Sequence, residues 1–373
     1  MLKRLHVDNV RCLTNFEIEP EVVTGLVGPN GGGKSTILDV LLALRGILVV
    51  GNEVEEHFPV WTSTRWDSRI EQRVELDVEA VGVPFSYSLI IGHGKESGAA
   101  IIEEERLTSK GDLLYEIADG QVRIFDDEAT SEPRATFPFN AKRSFLPMLE
   151  SHDDNQRIAL FKQWLSGVLL FQLQPFEVEG YSEQESTGLS VSADNFVSYF
   201  RVLAQEQPEV IGRIVEDLRP TIPGLTAIRL VQLGPSSKGL HLNCKLSRQE
   251  FDLTVLDLSE GQRVLLVLYT ILHALGGRAS LLVFDEPDNY VAQSEIQPWL
   301  SAIRDAMVET GLGTLMVISH HPEVVDYLAA DQTLYIWRED EGPSRVQTAL
   351  VDRNQGVTLS QWLKLGGPAR GAN

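Results

Sequence analysis

The sequence predicts an α/β fold: a mixed or parallel sheet around a phosphate-binding loop, with an antiparallel β subdomain and an inserted helical lobe. Three observations carry that expectation. A glycine loop, GPNGGGKST at 28–36, stands between an apolar β-branched run and a run with helical spacing. Compact apolar segments return after residue 252, as strands buried on both faces require. Between these parts, one stretch alternates with the period of strands and a second repeats with the period of helices.

In chain order, Leu5 and Val7 alternate with polar neighbours, as do Phe16 and Ile18, which predicts a β-hairpin over the first 20 residues. Val22 to Val27 reads as a buried strand, and Ile37 to Leu44 as a helix stopped at Gly46. Residues 70–125 hold short strand-like runs separated by turn signals such as Asp119-Gly120, hence an antiparallel sheet. The spacing changes near residue 141. Segments 141–170 and 193–218 repeat with helical period, for example at Ile158, Phe161, Trp164, Leu165 and Val168. A helical lobe over 141–250 therefore interrupts a nucleotide-binding lobe made of 1–140 and 251–365, with 366–373 a disordered tail. Leu281–Phe284 and Leu315–Ile318 suit parallel strands, and Thr333–Trp337 and Arg345–Val351 suit two final ones.

Composition excludes several classes. Of 373 residues, 43% are apolar, yet none form the roughly 18-residue uninterrupted span a bilayer demands. The N-terminus has no signal-peptide core, so a cytoplasmic location is expected and no membrane partner. Cys12 and Cys244 form no CxxC pair, which argues against a disulfide framework or a thiolate zinc site. His57, His93, His152, His241 and His273 lack metal-ligand spacing, and GHGKE at 92–96 reads as a hairpin turn. A net charge of −21 disfavours DNA binding through a broad basic surface, although a local basic groove stays open.

The chemistry-bearing residues fall in four motifs. In the loop, Gly28, Asn30, Gly31 and Gly33 let backbone N–H groups curl around phosphate oxygens at a helix N-terminus. Lys34 reaches the terminal phosphates, while Ser35, followed by Thr36, supplies a hydroxyl for Mg²⁺. LLVFDEP at 281–287 ends a strand in two carboxylates, where open α/β sheets collect ligands. Asp285 is the expected Mg²⁺ residue and Glu286 the expected general base for an attacking water. LSEGQR at 258–263 puts Ser259, Gly261 and Gln262 at a helix N-terminus suited to a γ-phosphate; alone, it also reads as an ordinary helix cap. ISHHPEV at 318–324 places His320 directly after an apolar strand, with His321 as the alternative.

With these motifs in this order, the chain resembles ABC-type ATPases of the SMC/RecF/OLD branch, often catalogued as AAA-family ATP-binding proteins. The resemblance covers nearly the whole chain. It includes HVDNVRCL at 6–13, where Arg11 corresponds to an arginine packed near the nucleotide, the Glu105-Arg106-Leu107 run, and SADNFVSYF at 192–200. It implies ATP and Mg²⁺ as ligands, LSEGQR as the signature, His320 as the switch histidine, and catalysis by Glu286, His320 and Lys34. It further implies a homodimer, or a higher oligomer, in which the glycine loop of one copy and the signature of the other clamp each ATP. The function implied is ATP hydrolysis that drives or gates a separately encoded nuclease or toxin in DNA maintenance, repair or anti-phage defence. A slow ATPase scaffold that sequesters an effector is the alternative. A transporter subunit is a third, disfavoured by the long insertion. No long heptad run predicts a coiled-coil arm, and no Toprim nuclease module is expected in the 53 residues after His320. The chain departs from the family at PDNYVAQ, 287–293, which lacks the aspartate usual a few residues on from the acidic pair. Its Q-loop glutamine is ambiguous between Gln172 and Gln174.

Overall fold

A computed structural model of the chain describes residues 1–94, 98–127, 132–150, 152–311, 313–339, 342–349 and 358–364. Its centre is a six-stranded sheet in the order Val168–Phe171, Leu281–Asp285, Thr314–Ile318, Val23–Val27, Gln332–Arg338, Ser344–Thr348. The first five strands are parallel, and the last turns back antiparallel on its neighbour. Val23–Val27, Leu281–Asp285 and Thr314–Ile318 are buried at every position. Alternation explains how. Leu281, Val283, Met316 and Ile318 enter one core with the helix Lys34–Arg45, whereas Leu282, Phe284, Leu315 and Val317 enter another with the helices Glu260–Leu275 and Gln293–Thr310. Helices cover both faces, so these strands are mainly apolar, and the polar side chains they do carry, Thr24, Thr314 and Asp285, are buried too.

A second, eight-stranded antiparallel sheet runs Phe16–Ile18, Leu2–Asp8, Gln72–Ala80, Val83–His93, Ala100–Ser109, Asp112–Ala118, Gln121–Ile124, Ala135–Pro138. The hairpin read from the first 20 residues is therefore its edge, paired at Leu5 with Ile18. Gln72–Ala80 alternates buried and half-buried positions strictly, the pattern of a sheet with one face on a core. Of the expected GHGKE turn, Lys95 and Glu96 lie outside the described residues, as do Leu350, Val351 and the tail 366–373.

The stretch 141–250 differs from a purely helical lobe. Gln156–Ser166 is a helix that buries Ile158, Phe161, Trp164 and Leu165 as its spacing required. Val168 fits the same spacing, yet Val168–Phe171 is a strand of the central sheet, paired with Leu281–Phe284. Gly167 caps the helix between them, and the apolar, extended-prone run beyond it gains more from the parallel ladder. The helical period over 193–218 is split into Phe196–Glu206 and Pro208–Leu218, because Pro208 has no N–H to continue the first helix. Then come three strands, Leu225–Gln232, Lys238–Leu246 and Gln249–Thr254, in a further antiparallel sheet that also includes Tyr181–Ser182. The lobe is thus mixed α/β. Among the described residues, no helix is long and apolar enough to cross a membrane.

Candidate active site

Parallel strands deliver their C-terminal ends to one edge. Val27 leads into the glycine loop, Phe171 into Gln172, Asp285 into Glu286, and Ile318 into Ser319 and His320. Ligands of open α/β sheets gather at that edge.

The loop is tightly seated. A Cβ on Gly28, whose φ is +149°, would lie 1.9 Å from the Ile336 carbonyl oxygen, so only glycine fits there. Gly33 then caps the helix Lys34–Arg45. Lys34 is buried, and its ammonium donates to the carbonyls of Gly28 at 2.9 Å and Pro29 at 3.1 Å. An ammonium has three N–H bonds, so one stays available for a ligand anion. Burial holds the Lys34 pKa below the ordinary lysine value, and the nearby charges of Glu286 and Asp285 oppose that drop. Asn30, Gly31 and Ser35 are exposed on the loop, while Thr36 is buried with its hydroxyl 3.7 Å from the Cys12 sulfur. Arg11 adopts φ +50°, donates its backbone N–H to Thr62 at 2.6 Å and ion-pairs with Asp39 on the loop helix.

Across from the loop, Asp285 is 3% exposed. One of its oxygens, Oδ2, accepts from Gln172 Nε2 at 3.0 Å; the other, Oδ1, is buried with no hydrogen-bond partner. Burial raises its pKa, helped by the charge of Glu286, and the neighbouring Ser35 hydroxyl, the Gln172 hydrogen bond and the charge of Lys34 act against the rise. An orphaned carboxylate oxygen beside a hydroxyl and below a phosphate-binding loop fits a hard dication. Among the described residues no three His, Cys, Asp or Glu side chains form a cation cage, so phosphate oxygens and water must complete such a shell.

Glu286 sits at φ +50°, a left-handed conformation uncommon for a residue with a side chain and characteristic of constrained functional sites. Its backbone N–H donates to Ile318 O at 2.8 Å. Its carboxylate is held from two sides, by Asn289 Nδ2 at 2.7 Å and His320 Nδ1 at 3.2 Å. A carboxylate oxygen accepts such a bond, so Nδ1 is the donating nitrogen of this pair. Both Glu286 and His320 remain about one-third exposed, at 32% and 34%, which keeps them open to a water or a ligand. His321 instead begins a short helix and is fixed through its backbone, its N–H bonded to Ser319 Oγ at 2.9 Å. Of the two histidines, His320 is the one the fold places against Glu286.

The signature segment is a helix N-terminus, as its sequence required. Ser259 caps Glu260–Leu275, accepting from Gln262 N at 3.3 Å, and Gln262 Oε1 accepts from Ser259 N at 3.0 Å. Gly261 lies where a Cβ would come within 2.6 Å of the Tyr290 carbonyl, so the segment after the acidic pair packs directly on the signature. Ser259 and Glu260 are exposed.

Two residues escaped the motif reading. Gln172, one of two candidates, is singled out because the strand Val168–Phe171 ends beside Asp285; missing that strand left the choice open. Asn289 lies within PDNYVAQ, where attention to an absent aspartate hid a carboxylate-holding amide. Its signal was position, three residues after Glu286 in a tight turn.

A family model described as "AAA domain, putative AbiEii toxin, Type IV TA system" matches residues 23–326. An OLD nuclease of Thermus scotoductus is 24% identical over 98% of this chain and 68% of the relative's length. Among solved structures, an SMC head bound to the C-winged helix domain of ScpA matches at TM-score 0.57 with 16% identity, covering 95% of this chain and 99% of that one. An Smc head with an extended coiled coil, bound to the C-terminal domain of ScpA derived from Pyrococcus furiosus, matches at TM-score 0.50 with 14% identity over 98% of both chains. At such identities the likeness to the two heads is one of fold.

Proposed function

The chain belongs to the AAA-domain family that spans its residues 23–326 and is an ABC-type ATPase of the SMC/RecF/OLD branch; from this premise we propose that ATP clamps two copies of it and that hydrolysis gates a partner effector. The observation that carries the reading is the Glu286 carboxylate, held by Asn289 and His320 beside the orphaned oxygen of Asp285. In this reading Glu286 takes the proton of the attacking water, and Asn289 and His320 fix the direction from which it does so. Lys34 and the loop N–H groups hold the terminal phosphates. Asp285 and Ser35 would hold Mg²⁺, with Gln172 orienting the Asp285 carboxylate through its amide N–H, and the ion would neutralise charge that develops on the transferred phosphoryl group.

The second half of the pocket comes from a second copy. Ser259, Gly261 and the N–H groups at the start of Glu260–Leu275 form a partly positive helix end, exposed at Ser259 and Glu260. In this reading it faces the γ-phosphate of a neighbour. ATP then joins the copies, and loss of the γ-phosphate contact releases them, which is how a chemical step becomes a movement. The effector is a nuclease or toxin carried by another chain, in DNA maintenance, repair or anti-phage defence. Stimulation of turnover by DNA separates this role from a scaffold that only sequesters its partner.

Glu286→Gln is the test. Loss of a general base lowers turnover by about 10²- to 10⁴-fold. The variant still binds ATP and accumulates as a dimer in size-exclusion chromatography with ATP and Mg²⁺. A variant that holds ATP yet elutes as a monomer would count against the clamp.

A further inference from the structure

Two turns meet at the acidic pair. One leaves the strand Leu281–Asp285 through Glu286, and the other leaves Thr314–Ile318 through Ser319 and His320. Each supplies one of the groups that hold the Glu286 carboxylate, Asn289 from the first turn and His320 from the second. The first turn follows an uncommon path, since Glu286 at φ +50° and Tyr290 at φ +73° both lie in the left-handed region. Such backbone persists only where the surrounding contacts over-determine it. At the root of the turns, Glu286 N donates to Ile318 O at 2.8 Å. With 34% of its side chain exposed, His320 is aimed by the backbone that carries it more than by packing around its ring.

Side chains join the turns a second time, out of reach of solvent. Asp288, 7% exposed, accepts from the hydroxyl of the fully buried Ser319 at 3.2 Å. The same hydroxyl oxygen accepts the His321 N–H at 2.9 Å. A hydroxyl has one proton and two lone pairs, so the group that takes the proton decides where the lone pairs point. Two acceptors compete for it, the Asp288 carboxylate at 3.2 Å and the His321 carbonyl at 3.4 Å. The charged acceptor makes the stronger bond. With the proton turned to Asp288, a lone pair stays with the His321 N–H. Ser319 N in turn donates to Leu26 O at 3.1 Å, on the strand that enters the glycine loop. His320 is thus fixed on both sides, by Ser319 before it and by the His321 N–H after it. Asp288 sets that lock from the opposite turn.

We propose that Asp288 and Ser319 are positioning residues of the hydrolysis centre: their buried bond keeps the His320 turn in register with the Glu286 turn, so that the imidazole meets the carboxylate. Asp288 then acts on turnover through His320 and has no part in holding the nucleotide. The inference rests on the roles given above to Glu286 and His320.

The experiment measures ATPase kcat, and Mg²⁺-ATP affinity by calorimetry, for Asp288→Ala, Asp288→Asn, Ser319→Ala, His320→Ala, the Asp288→Ala/His320→Ala double variant and Glu286→Gln. Misplacing a reacting group by about 1 Å costs up to about 10²-fold in rate. Asp288→Ala and Ser319→Ala are therefore expected to lower kcat roughly 10- to 100-fold while Mg²⁺-ATP affinity stays at the wild-type value. Asp288→Asn keeps an oxygen that accepts from Ser319 and recovers most of the loss. In the His320→Ala background, Asp288→Ala costs nothing further, because the group it positions is gone. Affinity and turnover lost together, as a loosened fold gives, overturn the inference, and so do losses that multiply in the double variant. Ser319→Ala deletes a single hydroxyl and decides the matter if Asp288→Ala does not fold: an unchanged kcat there overturns the inference alone, provided Glu286→Gln is inactive. Turnover that survives Glu286→Gln overturns the reading of the hydrolysis centre and this inference with it.

Discussion

Two carboxylates are buried almost equally in this chain, and their surroundings are opposite. Glu105, 0% exposed on the strand Ala100–Ser109, is answered entirely by its own fold. Its Oε1 accepts from Tyr87 Oη at 3.1 Å and Ser144 Oγ at 2.7 Å, and its Oε2 from Tyr115 Oη at 3.0 Å. Asp285, at the edge of the central sheet, has one oxygen bonded to Gln172 and one bonded to nothing. A buried acceptor without a donor costs about 1–3 kcal/mol, and more when charged. At a sheet edge where ligands gather, such a group is one that an ion from outside the chain can complete. Both carboxylates carry raised pKa values, with burial the first cause in each. The raised pKa therefore does not distinguish a site from a structural knot; the missing donor, at the sheet edge beside the glycine loop, separates Asp285 from Glu105.

The sharpest way to break the comparison is to neutralise each carboxylate in turn. Asp285→Asn removes the proposed ligand for Mg²⁺, whose electrostatic contribution is several kcal/mol, so Mg²⁺-ATP turnover falls by about 10²- to 10³-fold. The same change relieves a charge that burial disfavours and a carboxylate pair that repels, since Glu286 adds to the upward shift. Without nucleotide or Mg²⁺, the variant is therefore more stable than the wild type at neutral pH, by about 1–2 kcal/mol in urea unfolding. A variant both inactive and less stable would make Asp285 a structural residue like Glu105.

Glu105→Gln reports the opposite case through pH. The Glu105 pKa is pushed up to about 7 from 4.5, because burial outweighs the three hydroxyl hydrogen bonds. Its folded value exceeds its unfolded one, so between those values the folded chain holds a proton that the unfolded chain has released. Stability then falls as pH rises through that window, by about 3 kcal/mol in all. Glutamine carries no charge and loses nothing there. Relative to the wild type, Glu105→Gln gains about 3 kcal/mol of stability between about pH 5 and pH 8, read as the difference of two urea titrations. Turnover at a fixed pH, where both proteins are folded, is unchanged. A difference independent of pH would mean that folding leaves the Glu105 pKa unchanged.

The comparison also marks how far a sequence can be read. The glycine loop, the acidic pair and the histidine were legible because each is a short motif at the end of an apolar strand, and local spacing decides both. The antiparallel sheet was legible from alternation. Val168–Phe171 was not, since a short apolar run following a helix satisfies helical spacing until its partner strand, more than a hundred residues later, is known. That one strand carries Gln172 to Asp285, so the ambiguity in the fold and the ambiguity in the site had a single origin. Strands Leu225–Thr254 were lost for the same reason: their pairing is with one another across loops, and no motif announces it. Glu105 was visible only as part of a family-like run. Nothing in the sequence placed Tyr87, Tyr115 and Ser144 around it.

The smallest effect tests the satisfied site from within. Tyr87→Phe keeps the ring, which stacks on Phe161 at 5.8 Å between centroids, and removes only the hydroxyl. That hydroxyl donates to Glu105, favours its charged form, and is one of the groups that hold its pKa down. Its loss moves the Glu105 pKa further up, so the upper end of the pH window over which stability declines moves up with it. Where Glu105 is charged, above about pH 8, a hydrogen bond to an ionised group is gone, and the variant costs about 1.5–3 kcal/mol. Where Glu105 is neutral, near pH 5, the cost is that of an ordinary hydrogen bond, about 1 kcal/mol. The measurement is urea unfolding of both proteins at the two pH values. Equal costs at both would mean that Tyr87 packs beside the carboxyl without serving its charge, and Glu105 would then be closer to Asp285, a buried acid short of donors, than its three contacts imply.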